Sequence, residues 1–246
     1  MWKKTKGEVM LKELYKKADF KNNHGMFFNM DCMELMKEMV DTERERERNE
    51  IALTITDIPY DGVNRKSNGL RSLDKGNADI ITFDLHEFLN YLYEITSGTI
   101  IVFCGQNQLS EIFNYFDAYA KQGKGTVRQL VWSKSNPSPM NGDYIYLSAC
   151  ENAVWFKKRG AIFNAHCKKN VFTYPCGRSK IHPTEKNHDL IKELILDNSN
   201  ENDVVFDPCA GSGSHLLVAE ENNRRFVGCE LQKEWFDKAK ERLYEI

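Results

Sequence analysis

Apolar residues along this chain gather into short β-branched runs, separated by stretches in which they recur every three or four positions. That is the pattern of strands alternating with amphipathic helices. Ile51-Ala52-Leu53-Thr54-Ile55-Thr56 reads as a buried parallel strand. Met26 to Asp31, Gly98 to Gly105, Val127 to Ser133, Asn152 to Phe156, Asp203 to Phe206 and Arg225 to Cys229 read as further strands. Helical spacing predicts helices over Met33–Met39, Phe83–Thr96, Leu109–Ala120 and His188–Leu196, one through Leu216, Leu217 and Ala219, and a last one over Glu234–Tyr244. Residues 1–20 place Leu11, Leu14 and Tyr15 at helical spacing, a helix or arm. Asp41 to Glu50, with alternating Glu and Arg, reads as a charged helix end or loop. The alternation predicts an α/β domain, and 246 residues suffice for one large core.

Candidate chemistry collects at strand ends, where open α/β sheets bind ligands. The strand 51–56 delivers Asp57-Ile58-Pro59-Tyr60: a carboxylate, a proline-stiffened backbone and an aromatic ring. The proline donates no N–H and holds Ile58 extended, so the carbonyls before the ring point in fixed directions. These groups suit a flat heterocycle with an exocyclic amine, its ring on Tyr60 and its amine hydrogens on Asp57 and a backbone carbonyl. An ordinary Asx-type turn explains the same four residues. Asp31 either N-caps the helix after it or holds a ligand. Asp207-Pro208-Cys209-Ala210-Gly211-Ser212-Gly213 is a strand end and glycine turn before a helix, where backbone N–H groups stay free and a ligand can approach closely. Glu230 ends the next strand, 19 residues beyond Gly211, where nucleotide-binding units place a carboxylate on ribose. The third glycine of the dinucleotide pattern is missing, which disfavours NAD. The polar stretch Asp61 to Asn77 springs from the first site and is long for a plain connection, so it reads as a lid or substrate-contacting loop.

A net charge of -2 argues against a uniformly basic nucleic-acid binder. Yet from Lys157 to Lys186 eight basic residues face the single acid Glu185, an asymmetry suited to a phosphate backbone or to a plain solvated loop. Lys157, Lys158, Lys168, Lys169, Arg178 and Lys180 are the candidate DNA contacts. The seven cysteines form no Cys-x-x-Cys pair and the six histidines show no zinc spacing, so no metal is implied and reduced, buried thiols are expected. No apolar run approaches a membrane span, which with the thiols places the expectation in the cytoplasm.

Taken together, the blocks resemble the S-adenosylmethionine-dependent amino-methyltransferases of DNA, in their β-type motif order, over roughly residues 26–243. Met30-Asp31-Cys32 is similar to that family's Gly-Asp-Cys segment and Asp57-Ile58-Pro59-Tyr60 to its Asp-Pro-Pro-Tyr motif. Trp132-Ser133-Lys134 and Cys150-Glu151-Asn152 through Phe156 resemble its next two blocks. His182-Pro183-Thr184-Glu185-Lys186 resembles its His-Pro-Thr-x-Lys box, and the 207–213 and 225–230 segments its cofactor loop and second cofactor strand. Ile58 stands where the family has its first proline, Cys209 where it has phenylalanine and Asn187 where it has proline. None of these removes a required chemical group.

The resemblance implies a Rossmann-like, seven-stranded sheet in circularly permuted order, with the strand ending at Asp31 beside the strand ending at Glu230. It implies a single domain over 1–246 with a small basic target-recognition insertion around 157–186. The implied activity is transfer of a methyl group from S-adenosyl-L-methionine to the N6 amine of a flipped adenine in DNA. Asp57, Ile58, Pro59 and Tyr60 would be catalytic. Asp31, Cys32, Asp57, His182, Thr184, Lys186, Asp207, Pro208, Cys209, Gly211, Ser212, Gly213 and Glu230 would bind the cofactor. The alternatives are N4 methylation of cytosine and a non-catalytic module that binds cofactor and DNA. DNA is the expected partner; a homodimer is an open expectation, and no motif names a recognition sequence or a restriction endonuclease partner.

Overall fold

The computed structural model describes residues 10–44, 50–60, 81–139, 142–176 and 185–244. In chain order the elements are α1 (Met10–Lys17), β1 (Phe20–Lys21), β2 (Gly25–Phe28), α2 (Cys32–Arg44), β3 (Ile51–Asp57), α3 (Leu85–Ile95), β4 (Thr96–Cys104) and α4 (Leu109–Lys121). There follow β5 (Gly125–Lys134), β6 (Cys150–Lys158), β7 (Val171–Tyr174), α5 (His188–Asn198), β8 (Val204–Asp207), α6 (Ser214–Glu221), β9 (Arg225–Cys229) and α7 (Lys233–Tyr244). The strands form one sheet in the order β1-β2-β9-β8-β3-β4-β6-β5-β7. From β2 to β4 every pairing is parallel, whereas β6 runs antiparallel to both β4 and β5.

The permutation expected from the motif order is present: β2 pairs in parallel with β9, Phe28 opposite Cys229, although the two strands lie at opposite ends of the chain. The sheet has nine strands instead of seven. The additions include β1, of two residues, and β7, of four, at the two edges. β7 lies inside the basic stretch that shows no periodicity, and four residues are too few to announce a period of two.

Side-chain alternation along the strands splits the core between the two faces of the sheet. Met26, Phe28, Ile100, Val102, Val204 and Phe206 pack in one cluster with residues of α1 to α4. Phe27, Ile101, Phe103, Val205 and Phe226 pack in the other with residues of α5, α6 and α7. Pairing of β3 with β4 is irregular between Ile51 and Leu53, where β4 carries one residue more; Ile51 lies in the first cluster, and Leu53 and Ile55 in the second. Asp57 has the parity of Leu53 and Ile55, and so leaves the strand on the α5–α6–α7 face. Gly228 lets α6 close on that face: a Cβ there would stand 2.3 Å from a methyl of Leu216.

Among the described residues no helix is long and apolar enough to cross a membrane. Every described cysteine is free, but the expectation of burial holds only for Cys32, Cys104 and Cys229. Cys150 and Cys167 are exposed, one at the first position of β6 and one in a loop at φ 47°. Helix α2 continues to Arg44 before the 45–49 segment, which lies outside the described residues, as does 61–80 with the expected lid.

Candidate active site

Asp57 pairs with Phe103 on β4, and Phe103 with Ala153 on β6, so one row across the sheet marks the level of the site. Lys186, just before α5, drops onto this row with only 4% of its side chain exposed. Its ammonium lies 2.7 Å from Asp57 Oδ2, 2.8 Å from Glu151 Oε2 and 3.0 Å from the Tyr60 hydroxyl. An ammonium has three protons, and here each has a partner. Lys134 holds the other Glu151 oxygen at 2.7 Å, and the Tyr60 hydroxyl donates to Glu151 Oε2 at 3.3 Å. Two lysines and two carboxylates thus form a neutral, half-sealed cluster, as buried charge requires. The Lys186 ammonium also lies 5.1 Å from the centre of the Tyr60 ring and 5.4 Å from that of Phe103.

The lysines are shared unequally. Burial would raise the Glu151 carboxyl, but Lys186 and Lys134 together bring it down to about 2. Asp57 has only Lys186; burial dominates there and raises its carboxyl above the ordinary 3.8, with Glu151 pushing the same way. Burial would lower the Lys186 ammonium, but Asp57, Tyr60 and Glu151 outweigh it and hold the group well above the ordinary lysine range. Burial, then Asp57, keeps Tyr60 protonated well beyond 10. With Lys186 on Oδ2, the second Asp57 oxygen is buried and has no hydrogen-bond partner among the described residues. No Asx turn occupies it.

The backbone after Asp57 is held on both sides of one carbonyl. Ile58 N–H donates to Phe103 O at 3.3 Å, and the Ile58 side chain is buried in the core. The buried Gln108 side chain donates through Nε2 to Pro59 O at 3.0 Å and accepts from Gly105 N–H through Oε1 at 2.8 Å. The Ile58 carbonyl therefore sits between two anchored peptide units.

A second group of predicted residues meets at the ends of β8, β9 and β2. Gly211 and Gly213 adopt φ of 52° and 72°, conformations that favour glycine, and Gly211 has open space within 4 Å of where a Cβ would stand. Glu230 accepts from Gly211 N–H at 2.9 Å and from Gln232 N–H at 2.8 Å, and burial raises its carboxyl. Asp207 spends both oxygens inside the turn, on Cys209 N–H at 3.1 Å and His215 Nδ1 at 2.7 Å. Asp31 caps α2, accepting from Met33 N–H at 2.7 Å. The hydrogen bond with Cys32, then burial, pushes the Cys209 thiol well above its ordinary range. Arg242 of α7 links the two groups, donating to Glu185 at 2.8 Å and to Ser212 O at 3.2 Å.

The predicted residues are not all brought together. Lys186 and Asp57, both expected among the cofactor contacts, lie in the carboxylate cluster. Lys157 and Lys158 pair with the start of β4 and β5, at the end of the sheet away from Asp57. There Lys157 donates to Ala161 O at 2.9 Å and Lys158 lies 4.2 Å from the Tyr93 ring centre. Lys168 bridges Glu193 at 2.8 Å and Asp197 at 2.5 Å on α5, while Lys169 is exposed. Arg178, Lys180, His182 and Thr184 lie outside the described residues. Three members of the site were not singled out as site residues: Gln108, Lys134 and Glu151. The signal for the last two was their place in the Trp132-Ser133-Lys134 and Cys150-Glu151-Asn152 blocks, at the site end of their strands; Gln108 gave none.

Comparison with known proteins gives concordant results. A family model described as DNA methylase matches residues 51–241. The type II methyltransferase M2.LlaDCHI of Lactococcus lactis subsp. cremoris is 27% identical over 221 residues, covering 78% of this chain and 81% of the relative. The type II methyltransferase M.HpaI of Haemophilus parainfluenzae is 29% identical over 244 residues, covering 87% and 74%. The crystal structure of M1.HpyAVI in complex with SAM superposes with a TM-score of 0.67 at 26% identity, covering 89% of this chain and 98% of that one. The cytosine-N4-specific PvuII DNA methyltransferase shares the fold at a TM-score of 0.64 and 17% identity, covering 89% and 86%.

Proposed function

We propose that this chain, which belongs to the N6/N4 DNA methylase family, is a site-specific methyltransferase acting on the N6 amine of an adenine swung out of DNA. S-adenosylmethionine is the methyl donor in this reading. The observation that carries the choice of an amine is the second oxygen of Asp57, buried without a partner among the described residues while Lys186 saturates the first. Such an atom calls for a donor from the substrate.

The residues present fit the cofactor. Gly211 leaves an open cradle, Glu230 stands at the adjoining strand end as an acceptor for ribose hydroxyls, and Asp31, Cys32, Cys209, Ser212 and Gly213 surround the same turn. His182 and Thr184 belong to this part of the proposal through the family motif. When bound, the sulfonium supplies an electrophilic methyl. The protein then has mainly to orient the amine.

The lone pair of an adenine amine is delocalised into the ring. Asp57 Oδ1 and the Ile58 carbonyl each accept one amine hydrogen, which favours a tetrahedral nitrogen. Lys186 favours the ionised form of Asp57 against the effect of burial and holds it in place. Tyr60 offers its ring to the base and, through its hydroxyl, is fixed to Lys186 and Glu151. Removing the base from the duplex costs about a few kcal/mol, and stacking on Tyr60 offsets part of it. Asp57 need not be a strong base, because the amine becomes acidic once methylated. In the single domain of this reading, target recognition falls to the 157–186 segment, with Lys169, Arg178 and Lys180 nearer in sequence to the lysine box than Lys157 and Lys158.

Transfer of a labelled methyl group to DNA, followed by digestion to nucleosides, tests the reading. Label in N6-methyladenine is the expected result. Label in N4-methylcytosine overturns the choice of base, and a chain that binds cofactor and DNA without transfer is the non-catalytic module.

A further inference from the structure

Residues 144–147, Tyr-Ile-Tyr-Leu, project from the connection between β5 and β6. Tyr144 is 88%, Ile145 63%, Tyr146 101% and Leu147 40% exposed. Large apolar side chains normally stand singly on a protein surface, so four in succession mark a contact. Among the described residues neither tyrosine ring meets another aromatic ring or a cation.

The loop's position says what the contact is. Ser133 pairs with Cys150, three residues past Ala153 in the row of Asp57 and Phe103. The loop is thus rooted about 10 Å beyond the carboxylate row, on the same end of the sheet. Both roots are members of the site: Lys134 on one side and Glu151 on the other, 2.7 Å apart, with Lys134 N–H also bonded to Ala149 O at 2.7 Å. Asn136 ties the entering strand to the 170s segment by accepting from Cys176 N–H at 2.6 Å. The base of the loop is fixed, and its exposed apolar tip leaves the sheet at the end where Asp57 stands.

Between Gly142 and Ala149 there is no Lys or Arg. The tip can neutralise no phosphate; what it offers is an aromatic face and an aliphatic wedge. A duplex from which one base has been withdrawn needs both, since the neighbours lose a stacking surface and the opposite base loses its partner.

We propose that Tyr146, with Ile145 beside it, enters the DNA stack at the place the target base leaves. This rests on the reading of the chain as a methyltransferase of duplex DNA. The loop holds the duplex open while Asp57 and Tyr60 hold the base.

The test uses the full chain and two substrates: a paired duplex containing a methylation site first mapped by sequencing, and the same duplex with an abasic site opposite the target base, where no pair has to be broken. Tyr146→Ala combined with Ile145→Ala should slow methylation of the paired duplex about tenfold or more, the size of one lost base–aromatic stack. It should leave the abasic substrate within about twofold, and cofactor affinity by calorimetry unchanged. The slope of DNA affinity against salt should also be unchanged, because no phosphate contact is lost. Tyr146→Phe, which keeps the ring, should retain the paired-duplex rate. Equal rates for wild type and the double variant on paired DNA overturn this inference and leave the methyltransferase reading intact. An equal loss on both substrates, with or without a change of sedimentation, assigns the loop to general DNA holding or to contact with a second copy, and overturns it as well. A wild-type protein that labels no DNA overturns the parent reading, and this one with it.

Discussion

The Lys186 ammonium lies 2.7 Å from Asp57 Oδ2 inside the fold, joining the end of a central strand to the residue just before α5. The contact takes one carboxylate oxygen and leaves the other, which fixes both the charge and the direction in which Asp57 can accept. Removing either partner therefore has different consequences.

Asp57→Ala should abolish transfer, by about 100-fold or more, while cofactor affinity stays near wild type, because its work is at the amine. Lys186→Met should lose transfer and also stability, by about 3–5 kcal/mol, since two buried carboxylates lose their shared counter-ion. Urea unfolding at neutral pH beside calorimetric titration separates the two. Comparable stability loss in Asp57→Ala and Lys186→Met would contradict the shared-ion account.

The rate should carry an acid limb that belongs to Asp57. Burial raises its carboxyl above 3.8, and the amine needs the ionised form, so transfer falls as pH drops through that raised value. In Lys186→Arg, which keeps a cation, the limb should remain near its wild-type position; in Lys186→Met residual activity should show it displaced upward. A limb unmoved by loss of the cation assigns the titration to another group.

Glu151 makes the opposite contribution to stability. Its carboxyl goes from an ordinary 4.5 to about 2 in the fold, so the unfolded chain binds the proton more readily. The stability it contributes is fully present above about 4.5 and is lost as pH falls toward about 2. Unfolding free energies across that window should fall less steeply for Glu151→Gln than for wild type, even though the variant is less stable at neutral pH. Parallel slopes in the two proteins would falsify this assignment.

Gln108→Ala should lower the turnover of the enzyme about tenfold with little change in cofactor affinity. It releases the Pro59 carbonyl and Gly105 N–H that hold the turn after Asp57, a loss of about 1–3 kcal/mol for buried groups left unpaired. Gln108→Glu, isosteric but unable to donate, should resemble alanine in rate. Full activity in Gln108→Glu would show that the turn holds itself.

Cofactor affinity should respond to Gly211 and Glu230. Gly211→Ala forces an L side chain to φ 52°, at about 1–2 kcal/mol, and fills the open cradle. Glu230→Ala frees Gly211 N–H and removes the acceptor, and each change should weaken binding about tenfold or more. Calorimetry with unchanged affinity in both would move the pocket elsewhere.

Within the basic segment the lysines should separate by position. Lys157→Glu and Lys158→Glu lie at the far end of the sheet and should leave DNA affinity and its salt dependence alone. Lys169→Glu, exposed and beyond Lys168, should reduce both. Lys168→Glu should act through stability instead, because it sets an acid against Glu193 and Asp197. Titrations at two salt concentrations, with thermal melting as control, distinguish these outcomes.

The chain by itself determined the elements and the ligand-binding ends. Short, β-branched apolar runs read as buried strands, and the carboxylates at their ends, Asp57 and Glu230, were legible because strand ends in a parallel sheet face one way. The glycine turn was legible too, since glycine adopts the positive φ of Gly211 and Gly213 at no steric cost. Even the pairing of β2 with β9 was implied, through the motif order of the family the chain resembles.

Tertiary structure decided what no local pattern encodes. A lysine in a basic stretch looks like a phosphate ligand; whether it meets DNA or another part of the fold depends on contacts between distant segments, and Lys158, Lys168 and Lys186 went to α3, α5 and Asp57. The face on which Asp57 emerges depended on the register in which β3 meets β8, Leu53 opposite Val205, because a slip of one residue turns a strand side chain to the other side of its sheet. The partners of Glu151 and Gln108 likewise appear only once β4, β6 and the turn after Asp57 are side by side. Ionic and hydrogen-bond partners are chosen by proximity in space, and proximity is what a periodicity of two or of 3.6 does not carry.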